Sequence, residues 1–407
     1  MSGNSYRSWE TVTIDSPGGG VAVATKPGVF AHGRVDSAAL LLATHVRVKQ
    51  NDFAVVMGSG NGFVPAVLAR TGRFSRIVCT DRNILSVEAT MRSIATNDAV
   101  NAEVIAQHGA LGVVGDSSAD TVAIRIPHEK LAFLQLLFDA MRALKNGGTC
   151  YVAGATNEGI KSAARLLELA FGNAVLIAYE GGCRILSAQK TSDVPFDHTV
   201  FESPFVSFDS FRELDVTLRG EHLKLFSRPG VFSWDHLDEA TEVLAAQLEI
   251  QSGSSVLDIG CGSGPLGIIA SMLSGGAPLV MVDSDVEAVR SAQKSAEAAG
   301  IGDFRALPSD IAGAVLDEKF DAVVTNPPFH VGKQTELSVP LQFIDDAWEV
   351  LKPGGRVFLV ANRTLPYELP IRERFGQVST VYDGRRFKVL SATKRQAIRA
   401  GFVRPVK

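Results

Sequence analysis

An Asn, two prolines and an aromatic, Asn326-Pro327-Pro328-Phe329, close the apolar run Phe320-Asp321-Ala322-Val323-Val324-Thr325. At a strand end these types make a stiff corner with polar acceptors and a flat apolar face, because proline fixes φ and removes a competing N–H. The Asn326 side-chain oxygen can accept one hydrogen of a planar amine, and the Pro327 carbonyl can accept the other. Phe329 can stack on the ring that carries the amine. An exocyclic aromatic amine is a poor nucleophile, since its lone pair is delocalised into the ring. Two acceptors on its hydrogens orient it and favour a more pyramidal nitrogen. Positioning, and acceptors aimed at the positive charge that develops, are then the main help an in-line methyl transfer needs. Taken alone, the same residues also fit a proline loop in which Asn caps a turn.

Upstream, Val256-Leu257-Asp258-Ile259-Gly260-Cys261-Gly262-Ser263-Gly264 predicts a strand ending in a glycine turn. Glycines let a backbone approach a ligand, and the following helix offers free N–H groups. Gly262-Ser263-Gly264-Pro265-Leu266-Gly267 satisfies the dinucleotide pattern G-x-G-x-x-G, with Asp283 near the place of a ribose-binding acid. Two features point instead to S-adenosylmethionine (SAM). Pro265 lies where the helix should open, and SAM has no pyrophosphate that needs that end. Asp258 would set a carboxylate at the pocket floor, which suits the cationic methionine end of SAM and repels a pyrophosphate. Gly260, Gly262 and Gly264 would then line the cofactor, with Cys261 as a small turn residue. Asp283, with Ser284 beside it, would accept both ribose hydroxyls. Asp310 could accept from the adenine amine, or equally cap a helix over 311–315.

The chain repeats itself. Lys26-Pro27-Gly28-Val29-Phe30 returns as Arg228-Pro229-Gly230-Val231-Phe232, Gly58 to Gly62 as Gly260 to Gly264, and Asp81 as Asp283, all at an offset of 202. Leu144-Lys145-Asn146-Gly147-Gly148 answers Leu351-Lys352-Pro353-Gly354-Gly355, and Arg184 to Ala188 answers Lys388 to Ala392. A domain-sized period means a duplicated domain. Each half predicts a strand pair (Thr11 to Ile14 with Val21 to Ala24; Asp215 to Leu218 with His222 to Phe226). A helix follows (Ser37 to His45; Asp238 to Gln247), and then beta-alpha units. The expected fold is α/β: two tandem Rossmann-like methyltransferase domains with mostly parallel, doubly wound sheets. The expected boundaries are 1–195, a linker over 196–211, and 212–407. Val56 stands in the first half where Asp258 stands in the second, and Arg125-Ile126-Pro127-His128 answers Asn326-Pro327-Pro328-Phe329. The first domain is therefore expected to be a catalytically silent scaffold.

The length of 407 residues favours two or three domains. A net charge of −4 carries no global nucleic-acid signature. Four scattered cysteines exclude a zinc ribbon and fit a reducing cytosol. A polar N-terminus, and no apolar run near the ~20 residues that span a bilayer, lead us to expect a soluble cytoplasmic protein without membrane or metal, in monomeric form.

The second half resembles the small-subunit-methyltransferase-C type of rRNA (guanine-N2) methyltransferase and its large-subunit relative. The resemblance runs through Pro229-Gly230-Val231-Phe232-Ser233, the Asp258 to Gly264 loop, Asn326-Pro327-Pro328-Phe329-His330 with Gly332, Leu365-Pro366-Tyr367 and Arg386-Phe387-Lys388-Val389. Together these cover nearly all of Arg219 to Lys394. It implies two tandem domains, the first without SAM binding, and SAM as donor. The implied substrate is a guanine N2 in 16S or 23S rRNA, free or in a ribosomal subunit. It also implies that Phe232 lies near the cofactor and that Asn326 holds the guanine amine. The N-terminal half departs heavily from the family.

Arg385, Arg386, Lys388, Lys394, Arg395, Arg399, Arg404 and Lys407 form an acid-free basic end that could contact phosphate or be a solvated tail. His330 could stack or contact phosphate, and Lys333 would stand at the pocket rim. Adenine N6, a glutamine amide, a non-enzymatic RNA-binding assembly factor and an NAD oxidoreductase are the competing expectations.

Overall fold

The computed structural model describes residues 5–99, 101–191, 201–328 and 338–395. Phe329, His330 and Lys333 lie outside the described residues. The chain divides into two compact units that do not follow the duplication strictly. The first holds Met1–Leu214, Phe226–His236 and Ser284–Ser291, and the second holds Asp215–Leu225, Leu237–Asp283 and Ala292–Lys407.

Two seven-stranded sheets share one strand order. By position within its own sheet the order is 3-2-1-4-5-7-6, with the last two strands forming an antiparallel hairpin on an otherwise parallel sheet. In the second sheet the five parallel strands are Val256–Ile259, Leu279–Asp283, Phe304–Pro308, Phe320–Thr325 and Leu351–Asn362. The first of these is buried at all four positions, as a strand covered on both faces requires. The expected helix over 37–45 forms as Ser37–His45. The one expected at 238 starts a residue later, at Glu239, because Asp238 is its N-cap. The expected strand pairs form as Glu10–Ile14 with Val21–Thr25, and Arg212–Leu218 with Glu221–Ser227.

Both sheets repeat the same fastening. Asp120 accepts from the Phe53 N–H and the Lys145 ammonium; Asp321 accepts from the Ser255 N–H and the Lys352 ammonium. Both aspartates sit beside the first residues of the central strand. Partial burial works to raise each carboxyl, but the backbone N–H and the lysine together hold both below the ordinary range.

In the first unit, Lys26 is buried against the rings of Tyr6 and Trp9, and Arg228 against those of Phe208 and Phe211. Aromatic faces suit a cation removed from water. Arg228 also pairs with Glu287, itself buried, and donates to the Gln135 side chain and the Ser207 carbonyl. Arg82 donates to both carboxylate oxygens of Asp285, at 2.8 and 2.6 Å. Among the described residues, no helix is long and apolar enough to cross a membrane.

Candidate active site

In the second unit the glycine turn, Asp283 and Asn326 all leave the sheet at the same edge. Val256–Ile259 lies between Leu279–Asp283 and Phe320–Thr325, parallel to both, with Ile259 level with Val282 and Thr325. The carboxyl ends of neighbouring central strands are where open α/β sheets bind ligands. Short bonds tie the edge together. Gly260 and Cys261 N–H donate to the Val282 carbonyl, and the Thr325 hydroxyl donates to the Ile259 carbonyl at 2.8 Å.

The turn needs its glycines for different reasons. Gly264 caps the helix Pro265–Leu273 at φ 89°, and a Cβ there would stand 3.1 Å from Met281 Sδ and 3.3 Å from Ala292 Cα. Pro265 fits the first helical position, where its missing N–H costs nothing. Gly262 also has positive φ, but a Cβ on it would meet no atom within 4 Å. Its outer face is open to a ligand. The Gly262 N–H donates to Asp283 Oδ2 at 3.0 Å, which sets the acid against the turn. Cys261 is buried, and its thiol lies 3.7 Å from the Gly262 carbonyl.

Asp258 is wholly buried; its Oδ2 accepts from the Gly267 N–H at 2.8 Å, bracing the start of the helix. Its Oδ1 is buried without a hydrogen-bond partner among the described residues. Burial pushes the Asp258 carboxyl up to about 7, with the charge of Asp283 adding in the same direction. A buried carboxylate oxygen without a partner leaves an acceptor for a water or a donor N–H to fill.

Asp310 is half-buried, and the 3-10 turn after it is Gly313–Val315 in place of a helix over 311–315. The Ser309 hydroxyl accepts from the Ala314 N–H at that turn. Ser284 belongs to the first unit, where its carbonyl accepts from the Ile84 N–H. Phe232 also lies in the first unit and is 66% exposed.

Asn326 is half-buried and Pro327 buried. The Asn326 Nδ2 donates to Asp238 Oδ2 and to Thr241 Oγ1, each at 3.0 Å. Sequence reasoning missed Asp238 and Thr241. The available signal was that Asp36 and Asp238 stand at the same offset of 202, each just ahead of the matching helix.

The basic end divides. Arg386 is exposed, pairs with Glu239 and lies over the ring of Phe387. Lys388 is buried against Glu368. Lys394 gives its ammonium to the carbonyls of Trp348, Glu349 and Leu351, so neither lysine has a head left for phosphate. Residues from 396 onward lie outside the described residues.

In the first unit the same turn survives: the Gly60 N–H donates to Asp81 Oδ2 at 3.0 Å. Arg125, however, stands in the place of Asn326. It pairs with Asp36 and Glu158 and lies over the Phe30 ring, largely buried.

The strand order is that of a Rossmann-like methyltransferase. The family model called methyltransferase small domain matches twice, over residues 20–187 and 222–391. The ribosomal RNA small subunit methyltransferase C of Hahella chejuensis is 33% identical over 284 residues, 70% of this chain and 80% of that protein. The protein of that name from Pseudoalteromonas atlantica is 34% identical over 280 residues, 67% of this chain and 77% of its own. A solved T. thermophilus 16S rRNA N2 methyltransferase, RsmC, in complex with AdoMet and guanosine, superposes with a TM-score of 0.79 at 27% identity. That match covers 96% of this chain and 99% of that one. The chain belongs to the ribosomal RNA small subunit methyltransferase C family, with a methyltransferase small domain in each half.

Proposed function

We propose that the protein methylates the exocyclic N2 amine of a guanine in 16S rRNA, with SAM as cofactor, in the cytoplasm where ribosomal subunits reside. The observation that carries this is the convergence of Gly262, Asp283 and Asn326 at one edge of three adjacent strands. The T. thermophilus relative, solved with AdoMet and guanosine, supports both ligands.

When bound, SAM supplies an electrophilic methyl group. Asp283 accepts from the ribose hydroxyls, the open face of Gly262 lets the backbone approach, and Asp310 accepts from the adenine amine. The Asp258 carboxylate would serve the cationic methionine end through a water or a backbone N–H. Asn326 Oδ1 and the Pro327 carbonyl accept the two hydrogens of the guanine amine and direct its lone pair outward. Phe329 stacks on the base. SAM would supply the methyl carbon to the amine nitrogen with its thioether as leaving group, while Asn326 Oδ1 and the Pro327 carbonyl would hold that nitrogen until its extra proton passes to solvent. No strong general base is required. His330, Lys333, Arg385 and Arg386 would contact the RNA, and the first domain serves as a silent scaffold.

The test is transfer of labelled methyl from SAM to ribosomal subunits taken from cells lacking the protein. Label in 16S rRNA is expected. Label confined to 23S rRNA or to protein would overturn the assignment.

A further inference from the structure

We infer that Asp238 is a positioning residue for the methyl transfer, through the orientation it imposes on the Asn326 amide; this rests on the function proposed above. The two ends of an Asn side chain are nearly alike in size and opposite in polarity. A catalytic Asn that must accept from an amine works in one orientation and repels the substrate in the other.

Asp238 Oδ2 receives Asn326 Nδ2 at 3.0 Å and the Thr241 N–H at 2.9 Å. The second hydrogen of Nδ2 goes to Thr241 Oγ1. Both donors of the amide are thereby used, and Oδ1 is the end presented to a substrate. Turning the amide over would set Oδ1 against a carboxylate oxygen, which has no proton to give. Thr241 cannot impose this alone, because a hydroxyl donates as readily as it accepts. The carboxylate is the group that decides. The first unit has the same helix cap, Asp36, but meets it with the guanidinium of Arg125, at 2.8 Å from Nε to Oδ2. The cap carboxylate thus holds the donor at the end of the strand Ala119–Arg125 or just after Phe320–Thr325, and only in the second half does that donor carry an acceptor on its far side.

Two substitutions separate orientation from capping. Asn and Ser cap helices about as well as Asp, so Asp238→Asn and Asp238→Ser keep the helix start. Asp238→Asn can offer Asn326 either an oxygen or an NH2, and Asp238→Ser is too short to reach it. Both are expected to lower kcat by roughly 10- to 100-fold. Melting temperature, SAM affinity and the KM for ribosomal subunits should stay at the wild-type values. Unchanged kcat in both variants would overturn the inference. So would a loss of SAM affinity or melting temperature that matches the loss of kcat, since either would assign Asp238 to the fold alone. Wild-type protein that transfers no methyl to guanine would instead reject the function on which the inference rests.

Discussion

Arg125 and Asn326 occupy the same position in the two repeats, and each holds the aspartate that caps the matching helix of its own repeat. Arg125 Nε lies 2.8 Å from Asp36 Oδ2, and Asn326 Nδ2 lies 3.0 Å from Asp238 Oδ2. One side chain presents only donors and fills its site. The other leaves an oxygen. The first half also has Val56 in place of Asp258, so it lacks the buried carboxylate as well. The expected outcome is a single molecule of SAM bound per chain, read by titration calorimetry, and no second site exposed by Arg125→Asn.

Asn326→Ala removes the acceptor but none of the groups placed around the cofactor. It should abolish transfer while SAM affinity stays within about threefold, a change of under 1 kcal/mol. Asp283→Ala should do the reverse and weaken SAM binding directly, because it loses the acceptor for the ribose hydroxyls and unties the Gly262 N–H. Equilibrium binding and single-turnover transfer on both variants distinguish the two roles.

The glycines of the turn should separate stability from binding. Gly264→Ala forces a Cβ against Met281 and Ala292 at positive φ, and should cost about 1–3 kcal/mol of stability. Gly262→Ala meets no neighbour and carries only the left-handed backbone penalty of roughly 1–2 kcal/mol. Its main effect should be on SAM affinity, since the new methyl group points into the open face. Denaturant melts and SAM titrations on the pair check this.

Asp258 makes the free protein sensitive to pH. Its carboxyl is raised from the ordinary 3.8 to about 7, so the native state holds a proton that the unfolded state releases. The resulting stabilisation is complete below pH 3.8 and is lost as pH rises through about 7. Asp258→Asn removes this dependence. Its melting temperature should therefore gain on wild type as pH rises from 3.8 to about 7, with the linkage slope of one proton. A cation held near the Asp258 carboxyl favours the carboxylate, so SAM binding to the wild type at about pH 6 should release a proton. Calorimetry in buffers of different ionisation enthalpy measures that release.

Much of this was legible in the sequence because the duplication checks itself. The offset of 202 aligned the Pro-Gly-Val-Phe turns, the glycine turns and Asp81 with Asp283, and both sheets then formed with one strand order. What was hidden lay in contacts between residues far apart in the chain. Asn326 and Asp238 are 88 positions apart, and a helix cap has an adequate local reason to be Asp. Lys388 and Lys394 looked like phosphate contacts for the opposite reason: charge is visible in sequence, but the Glu368 side chain and the helix-end carbonyls that consume it are not. The assignment of Ser284–Ser291 to the first compact unit likewise rests on pairings such as Arg82 with Asp285, which no motif announces.

The identity of the methylated atom is what a single assay decides most directly. Ribosomal RNA from cells lacking the protein should be treated with SAM and either wild type or Asn326→Ala, digested to nucleosides and resolved by mass spectrometry. N2-methylguanosine is expected from the wild type and none from Asn326→Ala. A product of N6-methyladenosine, or N2-methylguanosine formed equally by both proteins, would contradict the proposed function.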